Sequence, residues 1–236
     1  CIFVRIPRCA TSSICKALDI SGGHYTYSEL QLMLPKNILK KAVIFTVVRN
    51  PWDRVVSLFK FRITRGWDTS HFENEEVYLI NWLQKDSIKA DFNLYQDLQQ
   101  FPYWAVGRPD REVPGVVKYI INYDHLEFVW KNSLPGILGV SNLPDLLEIN
   151  TAQQILERTE CDVDLIKYEE NTDNSSSPHY TTFYKNKGDV EYIGELFWTE
   201  INWLNWKFDT ISNWAVGKMP MFDDDFGNFI PIVMRK

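Results

Sequence analysis

Two stretches of this chain gather cations and hydroxyls around a turn where a strand would give way to a helix. The first is Ile6-Pro7-Arg8-Cys9-Ala10-Thr11-Ser12-Ser13-Ile14, and the second is Thr46-Val47-Val48-Arg49-Asn50-Pro51-Trp52-Asp53-Arg54-Val55-Val56-Ser57-Leu58. At such a junction several backbone N–H groups and the positive end of the helix dipole converge, so the ligand favoured there is an anion. In the first stretch Arg8 supplies a cation, Cys9 and Ala10 are small enough to let the backbone approach a ligand, and Thr11, Ser12 and Ser13 offer hydroxyls. In the second, Arg49 precedes the helix and Ser57 follows Asn50 by seven residues, nearly two helical turns, so both can face one side. Neither is a Walker A loop, which needs G-x-x-x-x-G-K-[ST]. An ordinary P-loop kinase is thereby disfavoured.

The elements that must position these residues follow from local signals. Residues 2–6 read as a strand that Pro7 ends by removing a ladder donor. Thr11, Ser12 and Ser13 predict a hydroxyl-capped helix start before Ile14, Ala17 and Leu18, and Gly22 and Gly23 break that helix. Thr26 and Glu29 form a T-x-x-E capping box for a short helix carrying Leu30, Met33 and Leu34, which places His24 at an element boundary. Residues 42–48 have the near-continuous apolar pattern of a parallel strand covered on both faces. Asn50 as N-cap, Pro51 at the first position and Asp53 in the first turn announce a helix through Val55, Val56, Phe59 and Ile63. A helix-like segment at 75–84 and an aromatic stretch with Phe92, Tyr95, Phe101, Tyr103 and Trp104 read as a lid or substrate wall. Residues 116–122 read as a further buried strand, Asp124, His125 and Leu126 open the next helix, and 172–178 form a loop. The last strong element is a helix at 189–206 with a core stripe of Val190, Ile193, Phe197, Ile201 and Leu204. The apolar end at 229–233 carries no motif. Strands alternating with helices predict an α/β fold with a parallel sheet, in one domain over residues 1–236.

Composition narrows the classes. The chain has 236 residues, 45% of them hydrophobic and 14% aromatic, as a folded globular protein does. A formal net charge of −6 argues against a surface built for nucleic acid, so no nucleic-acid partner is expected and any anion site is local. The apolar runs are too short for a membrane-spanning segment. Residue 2 already reads as core strand, so a leader or anchor either was removed before residue 1 or never existed. Cys1, Cys9, Cys15 and Cys161 lack metal-ligand spacing and read as thiols. The acidic residues 223–225 read as a solvated turn rather than a metal site.

The first stretch resembles the 5′-phosphosulfate-binding loop of sulfotransferases that use 3′-phosphoadenosine 5′-phosphosulfate (PAPS). The likeness is to the Golgi carbohydrate enzymes and the heparan sulfate 2-O-sulfotransferase branch, where an I/V-P-K-T-x-x-T-S pattern follows the first strand. Arg8 stands where that family usually has lysine; it keeps the charge and can chelate oxygens with two donors, but it is bulkier. The second stretch is similar to the family's 3′-phosphate motif, V-R-[ND]-P-x-[DE]-R-x-x-S. A third likeness is Pro178-His179-Tyr180-Thr181-Thr182-Phe183-Tyr184, similar to a Y-x-x-Y-Y segment whose loop closes over the adenine end. The resemblance covers residues 2–65 well and 178–206 fairly.

The resemblance implies a P-loop-like three-layer sandwich with a central parallel sheet flanked by helices, PAPS as sulfo donor, its desulfated product PAP, and no metal. It implies a hydroxyl acceptor, foremost a carbohydrate, and either a cytoplasmic or a Golgi setting according to source. Arg8, Cys9, Ala10, Thr11, Ser12 and Ser13 would hold the 5′-phosphosulfate, Arg49 and Ser57 the 3′-phosphate, and His179 and Tyr180 the adenine end. Arg8 would stabilise the leaving group. The segment Gly23-His24-Tyr25-Thr26-Tyr27 is similar to the G-H-x-x-[YF] segment whose histidine is catalytic, which makes His24 the expected general base. The alternative for His24 is a hydrogen bond to the backbone beside the capping box. Arg54 reads as a structural ion-pair residue, His71 as a loop residue open to solvent or substrate, and His125 as structural. Cys9 would contribute its backbone N–H, and a nearby cation would make its thiol reactive, so that alkylation blocks nucleotide binding. Two rival readings stand beside this one: a catalytically inactive nucleotide- or glycan-binding module, and an atypical P-loop kinase needing ATP and Mg²⁺.

Overall fold

The apolar run at 42–48 becomes β2 (Ile44–Val48), a strand buried at every residue. In this computed structural model, which describes residues 1–66, 78–85, 119–147, 179–211, 214–218 and 230–232, β2 lies between β1 (Ile2–Val4) and β3 (Tyr119–Asn122), parallel to both. β4 (Val216–Lys218) pairs antiparallel with β3, and β5 (Ile230–Ile232) antiparallel with β4. The order is therefore β1-β2-β3-β4-β5. The sheet expected to be parallel is so for three strands. β5 arises from the apolar end at 229–233. Helices accompany this partly parallel sheet, and the fold belongs to the α/β class.

In chain order the described helices are α1 (Thr11–Ala17), α2 (Tyr27–Met33), α3 (Lys36–Lys41), α4 (Pro51–Thr64), α5 (Leu79–Gln84), α6 (Leu126–Asn132), α7 (Leu134–Leu138), α8 (Lys187–Leu196) and α9 (Trp198–Leu204). Among the described residues no helix is long and apolar enough to cross a membrane. The chain forms two compact units: Cys1–Arg49 with Gln100–Leu147 and Thr199–Lys236, and Asn50–Gln99 with Glu148–Trp198. The aromatic stretch at 92–104, the loop at 172–178, the acidic residues 223–225, His71 and Cys161 lie outside the described residues.

The first unit holds the sheet. Phe3 stacks on its register partner Phe45 with ring centroids 5.0 Å apart. The hydroxyl of Thr46, polar in a fully buried strand, donates to the Val4 carbonyl at 2.8 Å. That satisfies a group whose unpaired burial would be costly. Beyond β3, Trp130 and Val129 of α6 and Leu134 of α7 are buried, and the Trp130 indole N–H donates to the Pro144 carbonyl at 2.7 Å.

Two helix starts match their sequence signals and one does not. At α2 the Glu29 amide donates to Thr26 Oγ1 at 3.2 Å and the Thr26 amide to Glu29 Oε2 at 2.7 Å, completing the capping box. At α4 the Trp52 amide donates to Asn50 Oδ1 at 3.2 Å, with Pro51 in the first turn. At α1, however, the N-cap is Ala10 in a left-handed conformation, and no side chain caps the helix. The Thr11 hydroxyl donates back to the Ile6 carbonyl at 2.7 Å and so closes the loop instead of capping the helix. α1 also ends at Ala17, ahead of Gly22 and Gly23. The helix expected at 189–206 is two helices, α8 and α9, broken at Phe197 (φ −111°, ψ 21°). The unit boundary falls after Trp198, so the apolar stripe is divided between two cores, with Ile193 and Phe197 buried in one and Leu204 in the other.

The second unit is built on α4. Phe59 sits 5.3 Å from the Trp82 ring of α5 and 6.3 Å from Phe183, centroid to centroid. The Trp52 indole N–H donates to the Val190 carbonyl of α8 at 3.0 Å, and the buried Tyr184 hydroxyl donates to the Trp52 carbonyl at 2.8 Å. Burial, with the charges of Asp53, Tyr180 and Asp189 adding to it, pushes the Tyr184 phenol well above its ordinary 10.0. The folded state therefore keeps a proton that the unfolded chain gives up near pH ~10, so this contribution to stability is fully present below that pH and is lost progressively as pH rises from there through the higher value of the folded state. Tyr184→Phe should cost about 1 kcal/mol near neutral pH through the lost hydrogen bond. Its urea midpoint should also fall less than the wild type's between about pH 8 and about pH 10.5. Equal alkaline losses in the two proteins would assign the pH dependence to other groups.

Candidate functional site

In the first unit the carboxyl ends of β1, β2 and β3 lie side by side, as the register Val4↔Thr46 and Val48↔Asn122 requires. In open α/β sheets, ligands bind beyond the carboxyl ends of the strands. The loop after β1 has Arg8 at φ 64° and Ala10 at φ 56°, both in the left-handed region, on either side of fully buried Cys9. Such a conformation costs a residue with a side chain about 1–2 kcal/mol, and it persists where the surroundings over-determine it. Here the Cys9 amide donates to the Ile6 carbonyl at 3.3 Å, and the Thr11 hydroxyl donates to the same oxygen.

Arg49 leaves the end of β2 and joins the neighbouring strand ends. Its Nη1 donates to the Arg8 carbonyl at 3.3 Å, and its guanidinium carbon lies 4.3 Å from the centroid of the Tyr123 ring. A cation over a tyrosine face contributes about 0.5–2 kcal/mol, more as water is excluded. Tyr123 is held there by its neighbour. Asn122, fully buried at the last position of β3, accepts from the Asp124 amide through Oδ1 at 3.0 Å and donates through Nδ2 to the Trp214 carbonyl at 2.9 Å. Those contacts start the short 3₁₀ turn Tyr123–His125.

His24 is exposed between α1 and α2, with its Nδ1 3.0 Å from the Arg5 carbonyl oxygen. A carbonyl only accepts, so Nδ1 carries the proton, and in the neutral ring Nε2 holds the lone pair. The backbone contact expected of a structural histidine is thus present in the form that leaves proton acceptance to Nε2. Arg5 turns its own guanidinium to the Gly22 carbonyl through Nη1.

The structure brings together the Arg8 carbonyl, the Arg49 guanidinium and the Tyr123 ring; Cys9 and Ala10 follow Arg8 in the loop, and in the first turn of α1 Thr11 is buried, Ser13 half-buried and Ser12 exposed. Ser57, half-buried on α4, belongs to the second unit, as do His179 and Tyr180. His179 Nδ1 lies 2.9 Å from Thr181 Oγ1, and its ring is 4.6 Å from the Tyr180 ring. Arg54 is buried with its guanidinium 5.2 Å from the Phe197 ring centroid. His125 is the N-cap residue of α6. Cys1, Cys9 and Cys15 are thiols outside any disulfide. With Cys9 at 0% exposure, its sulfur is not open to an alkylating reagent in the folded chain. Burial raises the pKa of Cys15, against the opposing charge of Arg5. Among the described residues no group of three or more His, Cys, Asp or Glu is placed to hold a metal. Sequence reasoning did not single out Tyr123, Asn122 or Arg5. A polar Asn closing a buried strand was the one local signal for the first two.

Comparison of the chain with family models, curated proteins and solved structures finds no match. Asn122→Ala leaves the Asp124 amide and the Trp214 carbonyl without their partner and should cost about 1–3 kcal/mol in urea unfolding. An unchanged midpoint would mean that water replaces both bonds.

Proposed function

We propose that the chain is a PAPS-dependent sulfotransferase acting on a hydroxyl acceptor, foremost a carbohydrate, and built as a P-loop-like three-layer sandwich. The observation that carries the proposal is the Arg49 guanidinium, braced by the Arg8 carbonyl and the Tyr123 ring at the carboxyl ends of three parallel strands. A planar guanidinium held on one face by a ring and at one edge by a carbonyl is pre-oriented, and its remaining N–H groups suit contact with a phosphate. Arg8 and Arg49 follow adjacent strands, so the cations suit a nucleotide with separate anionic groups on its 5′ and 3′ oxygens.

PAPS supplies an activated sulfur bonded to a good leaving group, the 5′-phosphate. The acceptor hydroxyl oxygen bonds to sulfur as the bond from sulfur to the phosphate oxygen breaks, leaving PAP. His24 takes the hydroxyl proton at Nε2, and Arg8 meets the negative charge growing on the departing oxygen. As in phosphoryl transfer, most of the rate comes from positioning and electrostatics. By the sequence resemblance alone, Ser57 is assigned to the 3′-phosphate and His179 and Tyr180 to the adenine. Tyr25, exposed next to His24, supplies an aromatic face suited to a sugar ring.

Titration calorimetry with PAP, ADP and ATP, each with and without Mg²⁺, tests the reading directly. Metal-independent binding of PAP, lost when the 3′-phosphate is absent, is expected; preference for ATP with Mg²⁺, or no binding at all, overturns it. Arg49→Ala should weaken PAP binding by roughly 1.5–3 kcal/mol through lost charge-assisted hydrogen bonds. His24→Ala should spare PAP affinity and lower sulfo transfer from PAPS by on the order of a hundredfold. A His24→Ala protein that binds PAP and transfers at the wild-type rate would place the base elsewhere.

A further inference from the structure

The segment between α1 and α2 is attached at two points to one residue, Arg5, which directly follows β1. Arg5 Nη1 donates to the Gly22 carbonyl, and the Arg5 carbonyl accepts from His24 Nδ1 at 3.0 Å. The side chain of Arg5 therefore grips the segment two residues before the place where its main chain receives the imidazole. The intervening backbone requires glycine at one position and crowds a side chain at the next. Gly22 stands at φ 129°, where side chains are rarely tolerated, and a Cβ on Gly23 would meet the Tyr25 ring at 3.0 Å. The ends of the segment are fixed as well, by the Ile20 amide on the Cys15 carbonyl at 2.9 Å and by the Thr26–Glu29 capping box. With both ends and the middle tied, the imidazole reaches the Arg5 carbonyl by one nitrogen only.

We propose that Arg5 is a positioning residue for His24: its guanidinium, through the Gly22 carbonyl, holds the imidazole as the Nδ1–H tautomer with Nε2 as the proton acceptor. The inference deepens the sulfotransferase reading, on which the use made of that acceptor rests. It does not concern Arg8 or Arg49, which act on the nucleotide. An imidazole detached from the Arg5 carbonyl would exchange its proton between the two nitrogens, and the fraction of molecules ready to accept at Nε2 would fall.

The test is two-bond ¹H–¹⁵N correlation spectroscopy of the histidine rings in the ¹⁵N-labelled full chain, at a pH where the rings are neutral. The His24 signals are assigned by their disappearance in His24→Gln. The wild type should show a protonated Nδ1 and an unprotonated Nε2. Arg5→Leu, which keeps the carbonyl and removes the guanidinium, should lose that signature, and Arg5→Lys should recover part of it. Arg5→Leu is expected to fold, because Arg5 Nε is buried without a hydrogen-bond partner and removing it offsets part of the lost contact. Backbone amide shifts outside residues 20–26 serve as the check. A wild-type His24 protonated on Nε2, or an Arg5→Leu spectrum with the wild-type tautomer, overturns the proposal. PAP titration of the same Arg5→Leu sample separates the two claims: unchanged affinity with an altered tautomer supports the positioning role. Absence of PAP binding in the wild type refutes the sulfotransferase reading while the tautomer still answers for Arg5.

Discussion

β2 is buried at all five residues, so neither edge can meet water and each backbone group has to be met by another strand. β1 and β3 do this, both in parallel, and the parallel sense brings three carboxyl ends to one side of the sheet. The segments leaving those ends are the Arg8 loop, Arg49 and Tyr123. Their proximity follows from hydrogen bonding in a strand that contributes no functional side chain of its own.

The Arg49 guanidinium is where that alignment becomes local chemistry. It bonds a carbonyl from the β1 loop and lies over a ring from the β3 turn, so it cross-links three strand ends that are remote in the chain. The carbonyl that Arg49 bonds belongs to Arg8, a residue that itself stands at a left-handed φ. Backbone strain and side-chain cation are parts of one arrangement.

Features legible in the sequence were those whose partners lie within a few residues. The Thr26–Glu29 box, the Asn50–Pro51 helix start and the apolar run of β2 all depend on neighbours in the chain, and all three are present. The bare start of α1 was not legible, because the Thr11 hydroxyl had two acceptable uses and the loop claimed it. β4 and β5 are three residues each and include Gly217 and Pro231, so neither shows the alternation that marks a strand. Of the site, the types and order of Arg8, His24 and Arg49 could be read in advance. The Tyr123 ring beneath Arg49 and the Arg5 carbonyl at His24 could not, since each joins segments that only the fold brings together.

The outer edge of β3 is closed by residues made much later: the Asn122 amide donates to the Ala215 carbonyl, and its side chain reaches Trp214, 92 positions on. A chain emerging from the ribosome would have β1, β2 and β3 in hand well before β4. For that interval the growing sheet has an open strand edge, the feature by which nascent chains pair with one another. Synthesis rate between β3 and β4, and the chaperones that cover such edges, would thus bear on the yield of folded protein.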